Sequence, residues 1–150
     1  MPKRSSGLEI RFAPIPLDPA FPVEASGEHE HDDAPITFLH AHQCLEVGYC
    51  HAGAGIFMIG DKVRAYRAGD VTFINHTEVH LARSAPGTTS RWTWINLDPL
   101  ALVAPSVADA PLLDPTPLAG PGFDNLFSPE RVPAVGRVAS RLIEELRGRA

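Results

Sequence analysis

The chain has 150 residues, 44% hydrophobic and 21% charged, which fits one folded domain and argues against wholesale disorder. Eighteen acidic against 13 basic residues give a net charge of −5, which excludes a basic nucleic-acid-binding face. No apolar run approaches the roughly 20 residues of a membrane span, and two cysteines, Cys44 and Cys50, are too few for a disulfide framework.

Proline divides the chain. Residues 1–35 hold six, and an irregular arm with at most one strand, Leu8–Phe12, is expected there. Its first six residues are not followed by an apolar run, so no secretory leader is expected and the chain is assigned to the cytoplasm. Residues 36–98 hold one proline, Pro86. Proline lacks a backbone donor and is excluded from central strands, so a hydrogen-bonded sheet is expected in this stretch. Strands are predicted at 36–40, 44–51, 55–59, 62–66, 71–74, 79–83 and 91–97, with Gly53, Gly60-Asp61, Gly69-Asp70 and Pro86-Gly87 among the turns. Many short strands at close, even spacing predict an all-β sandwich or small barrel.

Eight prolines in 99–133 mark a connection, with a short helical piece predicted near Phe123–Phe127. The end of the chain reads as a helix. Val135, Val138, Ala139, Leu142, Ile143 and Leu146 repeat at helical spacing, with Arg137, Arg141, Glu144 and Glu145 opposite. Ser128-Pro129-Glu130 offers a cap and first turn, or Pro133 marks the start. The apolar stripe either packs on the sheet or pairs with a second copy. The resulting division is an arm over 1–35, a sheet-forming core over 36–102, a Pro-rich connection over 103–131 and an amphipathic helix over 132–150.

The chemistry concentrates in His40, His42, Glu46 and His80. His40 and His42 are two residues apart and share a strand face; Glu46 shares that parity if the strand runs on without a bulge. With His80 from a later strand, three nitrogens and a carboxylate suit a divalent ion: Zn, Ni, Fe or Mn, among which spacing does not choose. Phe38 has the same parity and is expected to line the same cavity. Trp92 and Trp94 share a face of a late strand and are candidates to stack on a ligand. Cys44 and Cys50 read as buried free thiols. His29 and His31, inside the acidic stretch Glu28–Asp33, read as part of a solvated loop; His51 and His76 are expected to face outward. Arg64, Arg67, Arg83 and Arg91 are candidates to hold an effector carboxylate, with nothing in the sequence to choose among them.

His40-Ala-His42-Gln-Cys-Leu-Glu46, followed by Gly53, resembles the first motif of the cupin superfamily, and Gly69…Asn75-x-Thr77…His80 resembles the second. The turn of the second motif departs from the family, with Asn75 for proline, Thr77 for glycine and Ser84 for asparagine, and Ala34 replaces a glycine upstream. All four ligand positions are kept. The resemblance implies a jelly-roll-like cupin barrel carrying a C-terminal amphipathic helical appendage.

Within the cupins, Phe38–Gly55, Arg67–Ile74 and Trp92–Leu97 with the following Pro-rich connection and helix look most like the sensor domain of AraC-type transcriptional regulators. The resemblance implies a small-molecule effector in the barrel, an arm that folds over it, and a homodimer formed through the helix. It also implies that DNA is read by helix-turn-helix units that this sequence lacks, so a truncated sensor module is expected. The alternative is a free-standing metal-dependent cupin enzyme, a dioxygenase, isomerase or lyase, in which the same ion is the reaction centre.

Overall fold

The computed structural model describes residues 7–102 and 110–149. Strands β1 (Glu9–Phe12), β4 (Phe38–Ala41), β9 (His80–Ser84), β6 (Ala54–Ile59) and β7 (Lys62–Arg67) form one sheet in the order β1-β4-β9-β6-β7. The second runs β11-β8-β5-β10-β2: Leu126–Phe127, Val71–Ile74, Leu45–Ala52, Ser90–Leu97 and Val23–Ala25; β3 (His29–His31) also pairs with β10. The β1–β4 pair is parallel and the other pairings are antiparallel. The two sheets face each other without merging, so the expected barrel is a jelly-roll-like sandwich.

The interior between the sheets divides in two along its length. One end is apolar: Cys50, Phe57, Ile59, Tyr66, Ile74 and Trp92 are buried together. Burying each large side chain contributes roughly 1.5–3 kcal/mol. The other end holds the polar cluster described below. Gly48 allows the second sheet to carry Trp94 there, because a Cβ at this position would collide with the Trp94 ring and Thr72 Oγ1.

The second sheet is buried on its outer face as well. Helix α3 (Pro133–Arg147) lays Val135, Ala139, Leu142, Ile143 and Leu146 on Leu45, Val47, Val71 and Ile95. The apolar stripe is therefore used within the chain. Val138 is the exception, 67% exposed on the outward face. The helix starts at Pro133, and Ser128 instead closes a tight turn in which the Arg131 amide donates to its hydroxyl.

Three expectations need correction. The arm holds three strands rather than at most one, because the long edge of β10 offers a ladder that β2 and β3 complete. Phe123–Phe127 contains no helix; its last two residues form β11 on β8, positioned by a buried Asn125 at φ 62°. Two four-residue helices, α1 (Pro99–Leu102) and α2 (Ala110–Leu113), interrupt the Pro-rich stretch, of which 103–109 lies outside the described residues. No helix among the described residues is long and apolar enough to cross a membrane.

Candidate metal and ligand site

His40 and His80 are direct cross-strand partners on β4 and β9, so their rings meet: the Nε2 atoms are 3.2 Å apart. His42 lies beyond the end of β4, where the chain turns a corner, and Glu46 lies on β5 in the opposite sheet. The parity argument for Glu46 thus fails. The carboxylate reaches the cluster across a corner between sheets, not along one strand. Its oxygens stand 3.2 Å from His42 Nε2 and 3.3 Å from His80 Nε2. His42, Glu46 and His80 are all buried.

The backbone fixes which ring nitrogens point inward. His80 Nδ1 is 2.8 Å from the Glu78 carbonyl, and His42 Nδ1 contacts the Ala13 carbonyl. A carbonyl only accepts, so both Nδ1 atoms carry hydrogen and neutral rings present Nε2 lone pairs to the centre. Those lone pairs face a carboxylate, which also only accepts. An assembly of acceptors this close needs protons or a cation between them. Three of these approaches are 3.2–3.3 Å. One nitrogen from each of His40, His42 and His80 falls within a 4.8 Å span. The residues present fit a divalent ion.

The members of the cluster differ in how they hold a proton. Burial, together with the charges of His80 and His42, drops His40 to about 4. Burial also opposes charge on His42, but hydrogen bonds to Glu46 and Ala13 overturn it and raise its pKa. For Glu46, burial pushes upward, yet the hydrogen bonds and charge of His42 and His80 hold the carboxyl down at about 2. The anion persists at the centre of the cluster.

The cluster forms the floor of a cavity of about 290 Å³, walled by Phe57, Ala82 and Trp94 and edged by Ile15 of the arm. Trp94 lines it; Trp92 is fully buried behind, stacked at 4.8 Å, and lines no part of it. Phe38 lines a neighbouring depression and sits under the Arg11 guanidinium, 3.9 Å away. None of the four arginine candidates lines the cavity: Arg64 and Arg67 face Asp124 and Glu130, Arg83 donates to the Asp33 carbonyl, and Arg91 pairs with Glu28. Both cysteines are buried and unpaired, with burial pushing Cys44 to about 11 and Cys50 to about 12.

The arm supplies cavity residues that sequence reasoning set aside, His29 and His31, or did not reach, Glu24 and Ser26. All four line it, carried in by β2, β3 and the segment between them. The signal was available: His29-x-His31 has the same alternation as His40-x-His42. The surrounding acids drew the reading towards a solvated loop, whereas pairing with β10 turns His31 inward. His76 is exposed, and His51 lies outside the cavity, bonded to Thr93 Oγ1 at 2.7 Å.

Two facing, largely antiparallel sheets with a histidine-rich cluster at one end are the arrangement of a cupin. The model of the AraC-like ligand binding domain matches residues 23–150, and the chain belongs to this family. No curated protein matches the chain. Among solved structures, it is similar to a cupin 2 conserved barrel domain protein from Rhodopseudomonas palustris, 22% identical with TM-score 0.46, covering 55% of this chain and 57% of that one. It is also similar to a cupin protein from Bacteroides fragilis, 22% identical with TM-score 0.47, covering 51% and 66%. The chain spans less than two thirds of the length of either.

Proposed function

We propose that this chain is the small-molecule-sensing and dimerisation domain of an AraC-type transcriptional regulator, with a divalent ion held by His40, His42, Glu46 and His80. The observation that carries the ion is that His42 and His80, with Nδ1 turned to backbone carbonyls, both aim Nε2 at the buried Glu46 carboxylate, while His40 Nε2 closes on His80 Nε2. When bound, the ion supplies a Lewis-acidic centre for oxygen groups of the effector. Family membership carries the sensing role.

The hydrogen bonds around the site support a route from effector to helix. The turn at 75–78 holds two of the three histidines of the set, through His80 Nδ1 to the Glu78 carbonyl and the Thr77 amide to the His42 carbonyl, 2.9 Å. The same turn grips the segment leading to α3: Asn75 Nδ2 donates to the Pro115 carbonyl and Asn125 Nδ2 to Glu78 Oε1. An effector with different affinity for two arrangements of this turn shifts the connection and the helix together. On the other side, the arm reaches the site through Ala13 and Ile15. A homodimer through the outward face of α3, a cytoplasmic location, and DNA contact only through a helix-turn-helix domain outside these residues complete this reading.

Purified protein should carry near-stoichiometric divalent metal by elemental analysis, and His80→Ala should lose it. Metal-free protein whose stability is unaffected by added Zn, Ni, Fe or Mn would defeat the reading. Sedimentation at tens of micromolar, roughly the range of a weak interface, should give a dimer. The alternative, a metal-dependent cupin enzyme, draws on Glu24 and His31 as further titratable groups in the cavity. Turnover of an oxygenation, isomerisation or elimination substrate by the ion-loaded chain would favour it.

A further inference from the structure

Strand β1 (Glu9–Phe12) ends the first sheet, and among the described residues no strand pairs with its outer edge. Its inner edge is bonded to β4 in parallel register, the Glu9 and Ala13 amides donating to the carbonyls of Thr37 and Ala41. Bonding direction alternates along a strand, so the odd-numbered residues face β4, while Leu8, Ile10 and Phe12 turn both N–H and C=O outward. Those three also project apolar side chains from one face of the sheet, 39%, 59% and 62% exposed. An open edge carrying apolar side chains is a template for another strand unless something covers or repels it.

The opposite end of the same sheet is covered. Residues 120–130 take up the basic side chains of β7: Lys62 donates to the carbonyls of Gly120 and Phe123, Arg64 pairs with Asp124 and Arg67 with Glu130. The only charges on β1 are Glu9 and Arg11, one of each sign, on the face of the strand opposite Ile10. Both are exposed, and they are bonded to each other.

A second β1 laid antiparallel, with a two-fold axis through Ile10, fits this pattern at every position. Ile10 meets its own copy and Leu8 meets the partner's Phe12, so each outward-facing residue finds a donor and an acceptor opposite. Glu9 then stands across from the partner's Arg11, and Arg11 from the partner's Glu9. Moving the axis to Glu9 or to Arg11 sets like charges face to face. The strand is therefore complementary to itself in one register, which is the condition for a two-fold contact between copies.

We propose that the outer edge of β1 is an interface with a second copy of this chain, the two strands pairing antiparallel about Ile10 and joining the two sheets into one. The contact lies on the sheet that does not carry α3, and it depends neither on the ion nor on pairing through the helix. The alternation of charge commits the edge to a second copy rather than to an unrelated strand.

The test is small-angle scattering by the full chain from tens of micromolar to about 1 mM, on the order of the range of a weak contact. The mass of the wild type should at least double over this interval. Glu9→Arg makes the strand wholly basic and Arg11→Glu makes it wholly acidic, so each variant alone should stay at its low-concentration mass. An equal mixture of the two should regain the rise, because every acid again faces a base. Both side chains are exposed, so the variants should melt with the wild type. Ile10→Cys reads the register on a strand whose charges are intact. Mild oxidation should link it into a covalent dimer through the new thiol, since Cys44 and Cys50 are buried. A wild type whose mass does not rise, variants that still associate, a mixture that stays at the lower mass, or an Ile10→Cys chain that does not cross-link would each overturn the proposal.

Discussion

Lys62, Glu78 and Asn125 form a polar group in which donors meet acceptors. Lys62 Nζ donates to the carbonyls of Gly120 and Phe123, at 2.8 and 2.9 Å, and to Asn125 Oδ1. Asn125 Nδ2 donates in turn to the Phe73 carbonyl and Glu78 Oε1. His40, His42, Glu46 and His80 sit on the other side of the 75–78 turn and are arranged the opposite way, with acceptors facing acceptors. One cluster is complete within the chain; the other, on the reading proposed above, is completed by an ion. Burial and polarity are shared by both, so neither property distinguishes a structural network from a binding site; the donor count does.

The largest expected effect comes from breaking the complete cluster. Lys62→Ala leaves two carbonyls and Asn125 Oδ1 without their donor, which should cost about 3 kcal/mol in urea unfolding. A loss within experimental error would show that water replaces Lys62 and that the network is not structural. The second effect belongs to the open cluster. A divalent ion at a hundredfold excess over its Kd should stabilise the wild type by about 2.7 kcal/mol. His80→Ala should lose that response, whereas Lys62→Ala should keep it from its lower baseline.

A smaller effect separates the clusters by sign. Above the raised pKa of His42, where its ring is neutral, Glu46→Gln places an amide donor among the histidine lone pairs, so metal-free protein should be unchanged or stabilised by up to about 1 kcal/mol. Glu78→Gln keeps an oxygen for Asn125 Nδ2 and the Asn75 amide but removes the anion 3.9 Å from Lys62 Nζ, so it should destabilise by up to about 1 kcal/mol. Equal signs in thermal melts of the two metal-free variants would remove the distinction.

The sheet was legible because its signals are local. Alternation and glycine turns put every strand from Phe38 to Leu97 within a few residues of its predicted span. The four donor residues were legible as a set for the same reason, since residue types and spacing survive even where the path between them is misread. What was hidden depends on partners distant in sequence. β2 and β3 are three-residue strands whose only argument for existing is the edge of β10. His31 owes its inward place to that pairing. Glu46 joins His42 because the chain changes sheets between residues 41 and 45, which no periodicity within one strand announces. Trp92 and Trp94 share a face as expected, yet one is core and the other is wall, a matter of depth along the sandwich that parity does not encode.

The open cluster also makes a prediction about pH. Burial disfavours charge on His42, but Glu46 and the Ala13 carbonyl raise its pKa above the ordinary 6.5. A group that binds its proton more tightly folded than unfolded contributes its full stabilisation below the unfolded value and loses it as pH rises through the folded one. Metal-free protein should therefore lose this contribution on going upward from about pH 6.5. The ion competes for the same Nε2 lone pair, so its affinity should rise over that interval as the proton leaves. Metal-free and ion-loaded proteins should then show opposite slopes of stability against pH in this window. In Glu46→Gln, where the carboxylate that raises His42 is gone, the metal-free slope should flatten. Parallel slopes for the free and loaded wild type would mean that proton and ion do not share His42.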